Sequence, residues 1–447
     1  MKLSGREKVS YGLGAVGKDM VYALVSGFLM FYYNDTLHIS ATFIGLVFMA
    51  ARVFDAFNDP LMGVVVEKTH SKMGKYRPWL LSGTVLNAAI LFAMFSVPES
   101  VTGTSLKIYI AAAYVLWGVT YTMMDIPFWS MIPAITDAGQ DRENMTVIAR
   151  SCAGVGNAIA TMFTIEVVRV LGGGNSRIGY KWCALIAAII FVIFELITVA
   201  NVREKHVEKK ETPSVKDLLK ALIQNDQALV VVVAIILFNG SLYLTQQLSL
   251  YFFKYYLNQY SFYTMFAAIG GATQIIAMMF FPVLRKKFGR MKIFVGSIIC
   301  ALGGYATLFA LASFGVKNVY VICIPSIFVF FGFGLITVLT TIFLADTVDY
   351  GEYKNNSRNE SVIFSMQTFV VKLASAISAL IAGVGIDVIR LDTQAKAQTA
   401  STLFGMRIIM MIIPMIGILG AMLFFRRKYK LSETYLEEIS QELKERN

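Results

Sequence analysis

Charge is scarce in this chain. Of its 447 residues only 15% are Asp, Glu, Lys or Arg, where soluble domains carry about 25%. The hydrophobic share is 56% and the mean hydropathy +0.62, which excludes an ordinary soluble globular protein. Cysteine and histidine are equally sparse. Cys152, Cys183, Cys300 and Cys323 lie far apart in apolar runs without CxxC spacing, and there are 3 histidines, so no metal cluster is expected; the cysteines read as small buried hydrophobes. The nucleophile set, metal set or donor-nucleotide site of a membrane enzyme is missing, as is the filter repeat of a channel. Met1 to Ser10 is basic but is not followed by a short apolar core with a small-residue cleavage site, so the first apolar segment is expected to stay as a helix.

What is abundant is apolar sequence in long blocks. Twelve stretches run at 10–34, 41–66, 78–97, 107–134, 143–171, 180–201, 227–256, 261–284, 293–314, 318–347, 362–389 and 402–425, each long enough to cross a bilayer as a helix. The net charge of +11 is not spread as a nucleic-acid binder would spread it. Lys68, Lys72, Lys75 and Arg77, then Arg285, Lys286, Lys287, Arg290 and Lys292, then Arg426, Arg427 and Lys428 fall in alternate loops. Cationic loops are retained in the cytoplasm, so both termini are expected there, in the inner or plasma membrane. The segment 201–226 is the longest polar interruption and divides the spans six and six: an N-terminal half at 1–200, a linker, a C-terminal half at 227–426 and a charged tail at 427–447. Within the linker, Ser214 to Ile223 has helical spacing of apolar residues. The loops after spans two and eight both place Pro, then basic residues, then Gly followed by a cation (Pro60 to Lys75, Pro282 to Arg290), a recurrence that transporter folds built from repeats predict.

Ionisable residues remain inside the apolar blocks, and each costs about 2.5–3.5 kcal/mol at the bilayer centre on insertion scales unless it is paired or hydrated. Their number implies a polar interior between helices. On span two Asp55, Asn58 and Asp59 share one helix face. Two carboxylates and an amide oxygen suit a small hard cation, or a proton shared between acids; Arg52 is too little to neutralise both. On span four Asp125 and Trp129 stand one turn apart, a carboxylate for hydroxyl groups beside an aromatic face for the apolar side of a sugar ring, near Pro127. Span one adds Lys18 and Asp19, span five Arg150, able to form paired contacts to a carboxylate such as Asp19 or Asp125 and still donate to a hydroxyl, and span eleven Lys372. Glu166, Arg169 and Glu195 read as structural pairs or interfacial groups.

The pieces YGLGAVGKDM, ARVFDAFNDPLMG, MGKYRPW, LWGVTYTMMDIPFWS, DTVDYGEYK and QTFVVK, in this order and across nearly the whole chain, resemble the melibiose-carrier branch of the glycoside–pentoside–hexuronide:cation symporters of the major facilitator superfamily. The resemblance implies an all-α membrane protein with twelve transmembrane helices in two pseudo-symmetric six-helix bundles, working by alternating access. It implies a cation site at Asp55, Asn58, Asp59 and Thr122. It implies sugar contacts from Lys18, Asp19, Tyr121, Asp125, Trp129, Arg150 and Lys372, and a gating motif at Asp349, Gly351, Glu352 and Tyr353. Where the melibiose carrier is expected to have Trp, nine residues before Asp346, this chain has Thr337. The expectation is a monomeric sugar importer coupled to Na+, with H+ or Li+ as the other drivers, without a cofactor; the alternative is a cation-coupled carrier of another polar or amphipathic solute.

Overall fold

Some twenty consecutive apolar residues can satisfy their backbone groups in lipid only by bonding among themselves, which selects the helix. The structure, a computed structural model, describes residues 3–136, 140–204, 224–355, 360–395 and 397–446. Among these it is all-α, with no strand and 12 helices long and apolar enough to cross a membrane. The chain forms two compact units, Met1–Thr212 and Pro213–Asn447. Most of the expected linker, including the amphipathic stretch Ser214 to Ile223, lies outside the described residues.

The first unit contains α1 (Gly5–Phe31), α2 (Ala41–Glu67), α3 (Arg77–Phe95), α4 (Gly103–Ile135), α5 (Gln140–Gly172) and α6 (Ser176–Asn201). Helix α1 begins five residues before the apolar block because Ser4 and Glu7 form a reciprocal capping box that satisfies otherwise orphaned N–H groups. It packs on α5 and α6 at backbone distance. A Cβ at Gly156 would stand 2.2 Å from the Val16 carbonyl oxygen, and one at Gly14 would stand 2.4 Å from Thr198 Oγ1. Small residues at such crossings are what brings membrane helices close without a hydrophobic drive between them. Helix α6 shows the division of faces. Trp182, Ile186, Ile189, Ile193 and Leu196 are exposed along one stripe, while Ala184, Ala187, Phe191, Glu195 and Thr198 are buried.

The second unit contains α7 (Asp226–Tyr251), α8 (Tyr263–Lys287), α9 (Arg290–Ser313), α10 (Val319–Asn355), α11 (Glu360–Val388), α12 (Ala400–Arg407), α13 (Ile413–Lys428) and α14 (Glu433–Arg446). Helices α12 and α13 are joined by a π-helical turn, Ile408–Ile412, and together form the twelfth span. Helix α10 runs past the expected end at 347. Its 37 residues extend about 55 Å at 1.5 Å each, longer than a hydrocarbon core of about 30 Å, so its polar last turns project beyond one. The charged tail is itself a helix, α14.

Two features repeat between the units. Helices α1 and α7 each end in a π-helical turn, Tyr32–Thr36 and Phe252–Tyr256. In each case the next-but-one residue is a non-glycine at positive φ, His38 and Asn258, both at 56°. The closing bonds match as well: Leu37 N to Tyr32 O and Ile39 N to Tyr33 O in the first, Leu257 N to Phe252 O and Gln259 N to Phe253 O in the second. The second feature is a carboxylate at the start of each third helix. Glu204, just after α6, accepts from the N–H groups of Lys75 and Tyr76 at 2.7 Å and Arg77 at 3.3 Å. Glu433, just after the twelfth span, accepts from Arg290 N at 3.0 Å and pairs with Arg285. Each loop singled out by its Pro-basic-Gly pattern is thus tied to the end of its own unit.

The Arg290 N–H, followed by the Arg285 guanidinium, holds the Glu433 carboxyl below its ordinary range. A depressed carboxyl stabilises the folded contact above the unfolded pKa and loses that contribution as pH falls through the folded one. Hydrogen exchange of α14 amides is therefore expected to be slow and level at neutral pH and to accelerate on acidification, after correction for intrinsic rates. Glu433→Gln should show the fast exchange at neutral pH; equal protection in both proteins would dismiss the latch.

Candidate functional site

Helix α4 carries the site because of its spacing. Gly118, Thr122, Asp125 and Trp129 recur at intervals of four, three and four residues, which places them on one face over three turns. Thr122, 5% exposed, donates its hydroxyl to Asp59 Oδ1 on α2 at 2.9 Å. One turn away, a Cβ at Gly118 would lie 3.2 Å from Asp55 Oδ1; glycine leaves that carboxylate room to approach α4. The other oxygen, Asp55 Oδ2, accepts from Arg52 Nη1 at 3.0 Å, and both residues are buried. Arg52 also lies 5.8 Å from the Tyr22 ring centroid. The aromatic rings Tyr22, Tyr121, Trp117, Tyr114 and Phe48 form a connected column beside it, so the guanidinium is held by both charge and stacking. The Asn58 Nδ2 is buried with no hydrogen-bond partner. Rotation of that amide by half a turn would put its oxygen in the orphaned position. All four residues of the expected cation set therefore lie on the α2–α4 seam, where the net charge of Arg52, Asp55 and Asp59 is one negative.

Asp125 and Trp129 face α1. Lys18, only 2% exposed, donates to Asp125 Oδ1 at 2.7 Å and lies 2.8 Å from Asp19 Oδ2, an ion pair whose angle falls outside hydrogen-bond geometry. The two carboxylates keep 24% of their surface exposed. The Trp129 indole N–H donates to the same Asp125 Oδ1 at 3.1 Å. The ammonium stands 4.7 Å from the Trp129 ring centroid and 5.9 Å from that of Tyr121. A buried ammonium offset by two partly wet acids and an aromatic ring is an arrangement suited to polyhydroxylated ligands: the acids accept from hydroxyl groups, and the ring packs on C–H faces.

Two expectations are revised. Arg150 does not pair with Asp19 or Asp125; its guanidinium carbon lies 4.0 Å from the Trp129 ring centroid. Glu166 and Arg169 do pair, on an exposed face, but Glu195 has no ion-pair or hydrogen-bond partner and is 1% exposed. In the DTVDYGEYK segment, contacts that fasten the end of α10 to the start of α7 come from Thr347, Tyr350, Gly351 and Lys354. Asn225 donates to the Thr347 carbonyl at 2.7 Å, and a Cβ at Gly351 would stand 2.9 Å from the same amide. Asp226 accepts from Lys354 at 2.6 Å and Tyr350 at 3.0 Å. Asp349, Glu352 and Tyr353 are half-buried on that same last stretch of α10. Asp346 is held by Arg290 at 2.8 Å. Lys372 is half-buried on α11 in the second unit, and Thr337 donates its hydroxyl back to Phe333 O of its own helix. Tyr350 and Lys354 were missed because nothing in their spacing distinguishes them from surface residues of a helix end.

Removing one partner of a buried ion pair costs about 3–5 kcal/mol, mostly from the charge left behind. Lys18→Ala should accordingly lower the unfolding temperature in detergent, and adding Asp125→Asn should recover part of the loss; strictly additive effects would show that the two side chains do not interact. Gly118→Ala is expected to leave the protein folded while weakening cation binding severalfold, read by cation-dependent tryptophan fluorescence, and unchanged binding would remove the Asp55 carboxylate from the cation site.

The family profile described as MFS/sugar transport protein matches residues 10–433. Among characterised relatives, the isoprimeverose transporter of Lactiplantibacillus pentosus is 29% identical over 84% of this chain and 79% of its own. The raffinose carrier protein of Pediococcus pentosaceus is 26% identical over 98% and 71% respectively. Two solved transporters share the fold. The nucleoside transporter NupG superposes with a TM-score of 0.71 at 14% identity, covering 94% of this chain and 100% of that one. A bacterial homolog of the lysosomal transporter Spinster gives 0.69 at 10%, covering 96% and 98%. A profile match that spans all but the ends of the sequence, on twelve membrane-length helices, establishes that the chain belongs to the MFS/sugar transport protein family and is a multi-pass membrane transporter, not an enzyme.

Proposed function

We propose that this protein is a sodium-coupled symporter that imports a glycoside, pentoside or hexuronide, with Li+ and H+ as the competing drivers. The observation that carries the reading is the α4 stripe: Thr122 touches an acid of the cation seam, and Asp125, about 4.5 Å further along the helix axis, touches Lys18. Asp55, Asn58, Asp59 and Thr122 take the cation as cargo. Lys18, Asp19, Tyr121, Asp125 and Trp129 take the sugar, with Lys372 as a further contact and Asp349, Glu352 and Tyr353 in the gating segment. Without a cation, Asp55 and Asp59 repel each other and disfavour a closed, dry site. A cation removes that cost and fixes Thr122, which aligns the next turn for sugar. Linkage then requires that sugar strengthen cation binding by the same factor. At 100 mV, inside negative, each entering charge supplies about 2.3 kcal/mol. The alternate cationic loops support cytoplasmic termini and an inner or plasma membrane location, with the monomer as the working unit.

Uptake into vesicles of radiolabelled galactosides, glucuronides and pentosides, with sodium, lithium and proton gradients imposed separately, tests the proposal. Asp59→Cys is expected to abolish gradient-driven accumulation, and Asp125→Cys to abolish sugar binding. Uphill uptake by Asp59→Cys at the wild-type level would refute its assignment.

One observation favours a narrower class. Arg150, exposed on α5, stacks on Trp129 and has no carboxylate partner among the described residues, so a cation is presented beside the proposed sugar platform. A sugar carrying an acidic group would satisfy it. Arg150→Gln should then depress glucuronide uptake at least tenfold more than uptake of a neutral glycoside; equal losses would return the choice to neutral substrates.

A further inference from the structure

Glu195 takes no part in the cation or sugar sets, yet among the described residues it is the most deeply buried acid of the first unit. It lies on the buried face of α6, opposite the exposed stripe of Ile186, Ile189 and Ile193, at 1% exposure, and neither carboxyl oxygen has a hydrogen-bond partner. Its Oε1 stands 3.2 Å from where a Cβ of Gly14 would be. Gly14 is one turn of α1 before Lys18, so Glu195 sits directly along α1 from the ammonium. The nearby donors are committed elsewhere. Thr198 donates to the Ser10 carbonyl at 2.8 Å, Tyr11 to the Phe128 carbonyl, and Lys18 and Trp129 to Asp125.

The charges around it already carry a negative surplus. From α1 come Lys18, Asp19 and the Tyr11 hydroxyl, and from α4 comes Asp125. From α5, Arg150 faces Tyr11 and the thiol of Cys152 lies against Gly12. From α3 comes Arg77, bonded to the Val199 carbonyl one turn beyond Glu195 at the helix end. In the cluster proper one cation, Lys18, meets two anions, Asp19 and Asp125. An ionised Glu195 would be a surplus charge in a dry place with nothing donating to it, which is the least favourable state a carboxyl can occupy.

We propose that Glu195 is a proton-binding site, distinct from the Asp55–Asp59 cation site, which holds its proton at neutral pH and is electrostatically tied to Lys18. When the proton leaves, Lys18 gains a third anion, one turn of α1 away, and Asp125 and Asp19 have a competitor for it. The local pH thereby sets how firmly Asp125 is held.

The test is infrared difference spectroscopy of the purified full-length protein in detergent, titrated with protons alone. No sugar and no gradient is used, so its outcome is independent of the symport reading. The wild type should show a protonated-carboxyl band at neutral pH that disappears on alkalinisation. In Glu195→Gln that band should be lost; in Glu195→Asp it should persist at a shifted frequency. Lys18→Gln, which removes the adjacent positive charge, should move the midpoint of the wild-type transition to higher pH, and this reads out even if the glutamine variant does not fold. A band that survives in Glu195→Gln, or a midpoint indifferent to Lys18→Gln, overturns the proposal.

Discussion

An ammonium group in the middle of a membrane protein must be answered by acids, and the answer given to Lys18 organises the first unit. It stands on α1 one turn beyond Gly14, where Gly14 and Gly156 let α1 press on α6 and α5, and its head reaches across to α4. Separating α1 from α4 would strand a cation and two carboxylates, each needing water that the interior does not offer. The relative position of these helices is therefore set by electrostatics as much as by side-chain packing. The same balance explains the exposure pattern: the cation is buried, while Asp19 and Asp125 keep a wet edge from which to exchange partners.

On the proposed reading, helix α4 is the element through which the cation layer and the sugar layer would sense each other. Its stripe meets the acids of α2 with a glycine and a threonine, then meets α1 with an aspartate and a tryptophan. A rotation of α4 that improves one layer moves the next, since a helix turns as a rigid body over three turns. Coupling here requires no chain of intermediaries; the two layers are adjacent turns of one helix. On that reading the surplus negative charge of the α2 seam would give a cation something to neutralise, and the two acids held by Lys18 would give a ligand something to rearrange.

The sequence already shows the number and approximate ends of the spans, because lipid forces apolar runs of a fixed length. It also shows the residues of both layers, because periodic acids in an apolar helix are conspicuous. Less was legible where the decisive fact is a distance between helices. Arg150 could have paired with an acid, but its guanidinium lies over the Trp129 ring. Glu195 looked like one more interfacial acid, and only the commitment of every nearby donor reveals it as solitary. The anchoring of α10 through Tyr350 and Lys354 depends on where Asp226 falls at the start of another helix. Capping by Ser4 was equally invisible to a search for apolar length, since it adds polar residues to the front of a span.

The paired π-helical turns carry a historical consequence. Such a turn is an α-helix that has accepted one additional residue, and a chain has many places at which to accept it. Here α1 and α7 hold theirs at the same register, closed by the same bonds and followed by the same left-handed residue. Two independent insertions have no reason to agree in every one of these respects. That agreement in register and closing bonds is what two copies of one half-length unit would carry.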